Sequence, residues 1–244
     1  MEELLTVKKL CKSGILKDIS FGVKAGEMVA IMGPSGSGKS TLLYQVSGMD
    51  QADSGEIWMD GWEIRGLSED DRARLRLSRM GFVFQQMNML KNLTLLDNIL
   101  LPASRLYRGK MPRKELESRA RTLMEKMGIE ELAGRKITQV SGGQLQRACI
   151  CRSMMSGPRI LFADEPTGAL NQSAAQEVMA EFTRLNQEGT TILMVTHDAK
   201  VAAGCGRILY LLDGTIKGEF STAGIPGEKE REAAVSRWLA GMGW

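Results

Sequence analysis

The run Gly33-Pro34-Ser35-Gly36-Ser37-Gly38-Lys39-Ser40-Thr41 fits the pattern G-x-x-x-x-G-K-[S/T], between a strand-like Met28 to Met32 and a helix-like Thr41 to Val46. In that context each residue type has a task. Glycines let backbone N–H groups curl around phosphate oxygens, Lys39 reaches the β- and γ-phosphates, and the Ser40 hydroxyl can ligate Mg2+. The start of the following helix adds partial positive charge. A Gly/Ser loop that merely turns a corner has no reason to carry Lys-Ser directly after its last glycine.

A second element, Ile160-Leu161-Phe162-Ala163-Asp164-Glu165, is an apolar strand ending in two acids. Asp164 can hold Mg2+ through its water shell, while Glu165, one residue on, points elsewhere and can polarise an attacking water. Alone, the Asp-Glu pair reads equally as a helix-capping turn; with a phosphate loop upstream, the catalytic reading prevails. Ser141-Gly142-Gly143-Gln144, in turn, opens a helix-like run through Met155. Ser141 is a good N-cap and the glycines bare N–H groups, so this is a second anion-binding helix end.

These groups need a scaffold, and the remaining sequence describes one. The chain has 244 residues, 43% hydrophobic and 25% charged, enough for one large domain with an insertion and unlike a disordered chain. Strand-like runs fill the first third (Leu4 to Val7, Asp18 to Val23, Met28 to Ile31, Glu56 to Met59), and Thr94 to Met127 reads as a helical insertion. From Arg159, strand-like Ile160 to Ala163, helix-like Ala174 to Asn186, strand-like Thr190 to Val195 and helix-like Asp198 to Ala203 alternate as βαβ units of a parallel sheet. A short helix is expected in the tail, with Ala234, Trp238 and Leu239 on one side.

Composition excludes several functions. A balance of 32 Lys+Arg against 29 Asp+Glu nominates no nucleic-acid partner. No apolar run is long enough to span a membrane, and the acidic start lacks the pattern of a secretory signal, so a cytoplasmic location is expected. Cys11, Cys149, Cys151 and Cys205 lack paired metal spacing and are expected as reduced thiols. His197, the sole histidine, rules out a zinc site built on two histidines.

The phosphate loop, Ser-Gly-Gly-Gln and Asp-Glu, in this order and spacing, resemble the ATP-binding subunits of ABC transporters from about Leu4 to Glu219. The resemblance implies an α/β fold: a P-loop NTPase core of the ABC ATPase type, with an antiparallel β subdomain and an inserted α-helical subdomain. Its parts would be residues 1–85 (β subdomain and first part of the core), 86–158 (helical subdomain with the signature), 159–220 (second part of the core) and 221–244 (tail). It further implies that Gln85 reaches Mg2+ and the attacking water, that His197 contacts the γ-phosphate and holds Glu165, and that Ser141, Gly142, Gly143 and Gln144 cap ATP bound by a second subunit. ATP and Mg2+ are the implied ligands; a second ATPase subunit forming a homodimer and an integral-membrane permease are the implied partners. The chain would then sit on the inner face of the membrane through the permease.

Within that family, Gly81-Phe82-Val83-Phe84-Gln85-Gln86, Asn92-Leu93-Thr94 and Glu165-Pro166-Thr167-Gly168 look like the branch of macrolide exporters, lipoprotein-releasing complexes, the cell-division complex and peptide-resistance transporters. Residues of about 86–101 would border the groove for the permease, with Met87, Met89 and Leu90 available for contact or for packing the helical subdomain. Two departures stand out. Asn171 replaces the acid that usually ends the loop after Glu165, and Leu10 to Lys17 holds no aromatic to stack on adenine, so loose discrimination between ATP and GTP is expected. A soluble ATPase of this family and an ATP-gated scaffold of a membrane complex would share the motifs.

Overall fold

The computed structural model describes residues 3–244. In chain order its elements are β1 (Glu3–Lys12), β2 (Leu16–Lys24), β3 (Met28–Met32), α1 (Lys39–Val46), β4 (Ser54–Met59), β5 (Trp62–Glu63), α2 (Glu69–Arg79) and β6 (Met80–Phe84). Then follow α3 (Leu95–Leu106), α4 (Arg113–Lys126), α5 (Gly142–Met154), β7 (Ile160–Asp164), α6 (Gln172–Gln187), β8 (Thr191–Val195), α7 (Ala199–Ala203), β9 (Arg207–Leu212), β10 (Thr215–Ser221) and α8 (Glu228–Gly241).

Two sheets form the frame. One is antiparallel, in the order β2-β1-β4-β5; the other, β10-β9-β3-β8-β7-β6, is parallel except where β9 and β10 pair antiparallel. The inner strands β3, β8 and β7 are buried throughout, as a sheet covered on both sides requires. Val29 and Ile31 of β3 face the cluster shared with the antiparallel sheet and α1, while Ala30 and Met32 face the cluster built with α3 to α6 and α8. The α/β fold with an antiparallel sheet and inserted helices is thus the one the resemblance implied.

Register then makes the site. Ile31 pairs with Val195, Val195 with Asp164, and Asp164 with Phe84. The carboxyl ends of β3, β8, β7 and β6 therefore align, and the residues that follow them, Gly33, Thr196-His197, Glu165 and Gln85, emerge along one edge. Ligands of open parallel sheets bind at such an edge.

The structure refines several expectations. The insertion read as helical over Thr94 to Met127 is two helices, because the chain leaves α3 at Tyr107 and restarts after Pro112. Thr94 itself is the cap, its hydroxyl accepting from Asp97 N at 3.1 Å. In the tail, α8 seats Val235 and Leu239 in the core, with Trp238 beside them on Tyr210 and Phe220. Cys149 and Cys151 lie on different faces of α5, yet both are buried, because neighbours surround that helix.

Candidate active site

The phosphate loop connects β3 to α1 as its pattern predicts. Pro34, Ser35 and Gly36 face solvent, whereas Gly33, Ser37 and Lys39 are buried. Gly33 permits a close approach: a Cβ there would collide with the Leu211 carbonyl and lie 2.7 Å from Ser37 Oγ. Gly38, with φ 99°, turns the chain into α1 through the left-handed region. Ser37 Oγ is buried without a protein hydrogen-bond partner. Lys39 Nζ donates to the carbonyls of Gly33 (2.7 Å) and Pro34 (3.0 Å), folding over its own loop. Burial lowers its pKa, and the nearby Glu165 and Asp164 carboxylates partly offset that.

The acids separate as the sequence suggested, and the backbone explains how. Asp164 is the last residue of β7 and is buried; Glu165 adopts φ 47°, a left-handed conformation unusual for a side chain with a Cβ. The turn is held by Glu165 N to Val195 O (3.0 Å) and Gly168 N to Glu165 O (3.1 Å), and the two carboxylates take different partners. Such a conformation costs about 1–3 kcal/mol and persists where the surroundings enforce it. Glu165 Oε1 lies 2.9 Å from His197 Nδ1, whose ring is well exposed. Asp164 accepts from two hydroxyls, Ser40 Oγ on Oδ1 (2.9 Å) and Tyr44 on Oδ2 (2.8 Å). Burial, and after it the hydrogen bond to Asp164, push the Tyr44 phenol up to about 12, so it is a donor at neutral pH.

Gln85 follows β6, and its amide lies over Gly168: a Cβ on that glycine would be 3.0 Å from Gln85 Nε2. The loop beyond it is anchored from α5, where Arg152 donates to the carbonyls of Asn88 (2.8 Å) and Met87 (2.9 Å). Sequence reasoning missed this tie. Of the apolar residues in that loop, Met89 packs the helical core, whereas Leu90 is exposed, as is Leu101 of α3.

Ser141 caps α5 through a reciprocal pair. Its hydroxyl accepts from Gln144 N (3.3 Å), and Gln144 Oε1 accepts from Ser141 N (2.9 Å). Ser141 and Gly142 are exposed, and the element packs against Leu170 and Ala174 at the start of α6. The exposed part of this helix start is therefore Ser141 and Gly142, while Gly143 is buried and the N–H groups of Ser141 and Gln144 are used within the cap. Asn171 caps α6, accepting from Ala174 N at 2.9 Å, a task an aspartate would perform equally. Beside Glu165 and His197 opens a cleft of about 630 Å3 between α6, α7 and the first turn of α8. No phosphate-loop residue lines it.

The donor set suits Mg2+: hydroxyl, carboxylate and amide oxygens in place of thiol or imidazole. Among the described residues no cluster of three or more His, Cys, Asp or Glu side chains could cage a metal.

The ABC transporter family pattern matches residues 16–168. The chain belongs to the ABC transporter family. A similar protein is the macrolide export ATP-binding/permease protein MacB of Neisseria gonorrhoeae, 46% identical over 202 residues, covering 83% of this chain and 31% of that protein. The chain thus spans about a third of the length of these relatives. The ABC transporter ATP-binding protein MJ0796 of Methanocaldococcus jannaschii is 41% identical over 232 residues, 92% of this chain and 99% of that one. The dimeric post-hydrolysis structure of MJ0796 bound to ADP and phosphate superposes with a TM-score of 0.82, covering 90% of this chain and 99% of that one at 38% identity. No helix of the described residues is long and apolar enough to cross a membrane.

Proposed function

We propose that this chain is the ATP-hydrolysing subunit of an ABC transporter, closing as a homodimer around two MgATP and driving a membrane permease of the exporter or force-transmitting type. The observation that carries it is the paired geometry at one sheet edge: Ser40 on Asp164 at 2.9 Å and His197 on Glu165 at 2.9 Å, beside the phosphate loop.

The loop N–H groups and Ser37 Oγ receive the phosphates, and Lys39 exchanges its own loop's carbonyls for the β- and γ-oxygens. Mg2+, held by Ser40, Gln85 and, through water, Asp164, would neutralise charge on the phosphate oxygens. Glu165 accepts a proton from the attacking water while His197 fixes its carboxylate. The water oxygen bonds to the γ-phosphorus, the bond to the bridging oxygen breaks, and ADP and phosphate leave with the proton. Ser141, Gly142, Gly143 and Gln144 act in trans on a partner's γ-phosphate; the exposure of Ser141 and Gly142 at the start of α5 supports this. The dimeric MJ0796 structure and the ATP-binding/permease composition of MacB support dimerisation and a permease partner, on which exposed Leu90 and Leu101 are available for contact. That partner would hold the chain at the inner membrane face.

Glu165→Gln tests the reading, because it keeps the shape and removes the base. Hydrolysis should fall by about 100-fold or more. In light scattering with MgATP the variant should double from its 26.8 kDa mass and remain dimeric. A variant that stays monomeric overturns the dimer, and one that still hydrolyses at the parent rate overturns the role of Glu165.

A further inference from the structure

Ser40 and Tyr44 stand four residues apart on α1, so they share one face of the helix. Both are aimed at the same carboxylate, one hydroxyl on each oxygen of Asp164. The phosphate-loop pattern accounts for Ser40. Nothing in it accounts for Tyr44, whose ring also meets Phe84 edge-on at 6.4 Å, immediately before Gln85. Phe84 stacks on Phe82, and Phe82 on Phe162 of β7, two residues before Asp164. The tyrosine thus touches the strand ends that deliver both Asp164 and Gln85.

We propose that Tyr44 is a positioning residue for the metal side of the site: its hydroxyl locks Asp164 by occupying Oδ2 and leaves Oδ1 for the Ser40 side, where metal-bound water is to be held. The inference rests on the proposed MgATP reading. A carboxylate tethered at a single oxygen can rotate about its last bond. Tethered at both, it presents a fixed acceptor, and such outer partners typically alter metal affinity by about 10–100-fold. The hydrogen bond is to a charged, buried group, which makes it one of the stronger kind. The Tyr44 hydroxyl is spent on Asp164 and not on the phosphate loop's N–H groups, so its effect is expected in metal-dependent binding.

The experiment is equilibrium ATP binding by the full chain, first in chelator and then across a Mg2+ titration, for the parent and Tyr44→Phe. Phenylalanine keeps the ring on Phe84 and removes only the hydroxyl. The expected result is equal ATP affinity without metal, with half-saturating Mg2+ raised about tenfold in the variant. In an Asp164→Asn background the same Tyr44→Phe change should add nothing, since the tethered carboxylate is gone. Unchanged or tighter Mg2+ dependence overturns the assignment, as does an equal effect in the Asp164→Asn background. A loss of metal-free ATP affinity or of the unfolding transition would assign Tyr44 to the fold and also overturn it. Absence of ATP binding by the parent refutes the site reading itself, so the two failures are distinguishable.

Discussion

Ile15→Tyr addresses how the nucleotide base is held. The β1–β2 turn brings Ile15 beside Gly38, where a Cβ would lie 3.1 Å from Ile15 Cγ2, and Lys17 N to Gly214 O (2.8 Å) ties the turn in place. Ile15 is 40% exposed there, an apolar side chain at the outer end of the phosphate loop. It can lay roughly 40 Å2 against a base, about 1 kcal/mol at ~25 cal/mol per Å2. That contact has no donor or acceptor, so adenine and guanine gain alike, and kcat/KM for ATP and GTP should agree within about threefold. A tyrosine in its place supplies base stacking of about 1–3 kcal/mol. The net gain of about 1 kcal/mol should lower KM for both purine triphosphates roughly fivefold. Steady-state phosphate release with each nucleotide measures both quantities. A parent protein preferring ATP by more than about 20-fold, some 1.8 kcal/mol, would refute the reasoning, because that discrimination requires hydrogen bonds to the base edge. No effect of tyrosine on KM would mean that the base lies elsewhere.

Three further outcomes follow from the α6 cap and the buried thiols. Asn171→Ala should cost about 1 kcal/mol by removing the 2.9 Å cap on Ala174 N and lower Tm by ~2–4 °C in calorimetry, whereas Asn171→Asp should hold or slightly raise Tm; equal Tm values for all three would remove the cap from the account. Burial pushes the thiols of Cys149 and Cys205 up to about 11 and about 12. At pH 8 a thiol at about 11 is only ~0.1% thiolate, so a disulfide reagent should label one thiol rapidly, Cys11, and the rest on unfolding. Since these folded values exceed the ordinary value of 9.0, the unfolded chain loses its thiol protons first, and stability should decline as pH climbs from about 9 towards about 12. Rapid labelling of three or four thiols in the native protein would contradict this burial.

The sequence was informative where function is written in contiguous residues. The phosphate loop and the Ser141 cap are each built from neighbouring residues and their own backbone, so their spacing is readable without a fold. Helix α2 was not read because its only buried residue is Leu75: it has no apolar stripe, only the Ser68 cap, acids in its first turn and arginines in its last. The edge strands β5 and β10 were missed for a related reason, since their residues are largely exposed or half-buried.

Tyr44 illustrates a deeper limit. Within α1 it looks like a half-buried aromatic, and its partner lies 120 residues away. The two meet because β3, which leads into α1, and β7, which ends in Asp164, flank β8, whose Val195 pairs with Ile31 on one side and Asp164 on the other. A one-residue slip in that register would turn Asp164 to the opposite face of the sheet, away from both hydroxyls. Glu165 adds the same lesson on a smaller scale: its left-handed backbone is set by the bond to Val195 O, so adjacent letters acquire divergent roles only through pairing with another strand. Residue types thus supply the chemical groups locally. Their joint geometry belongs to the sheet, and substitutions that disturb register should damage hydrolysis without touching any motif.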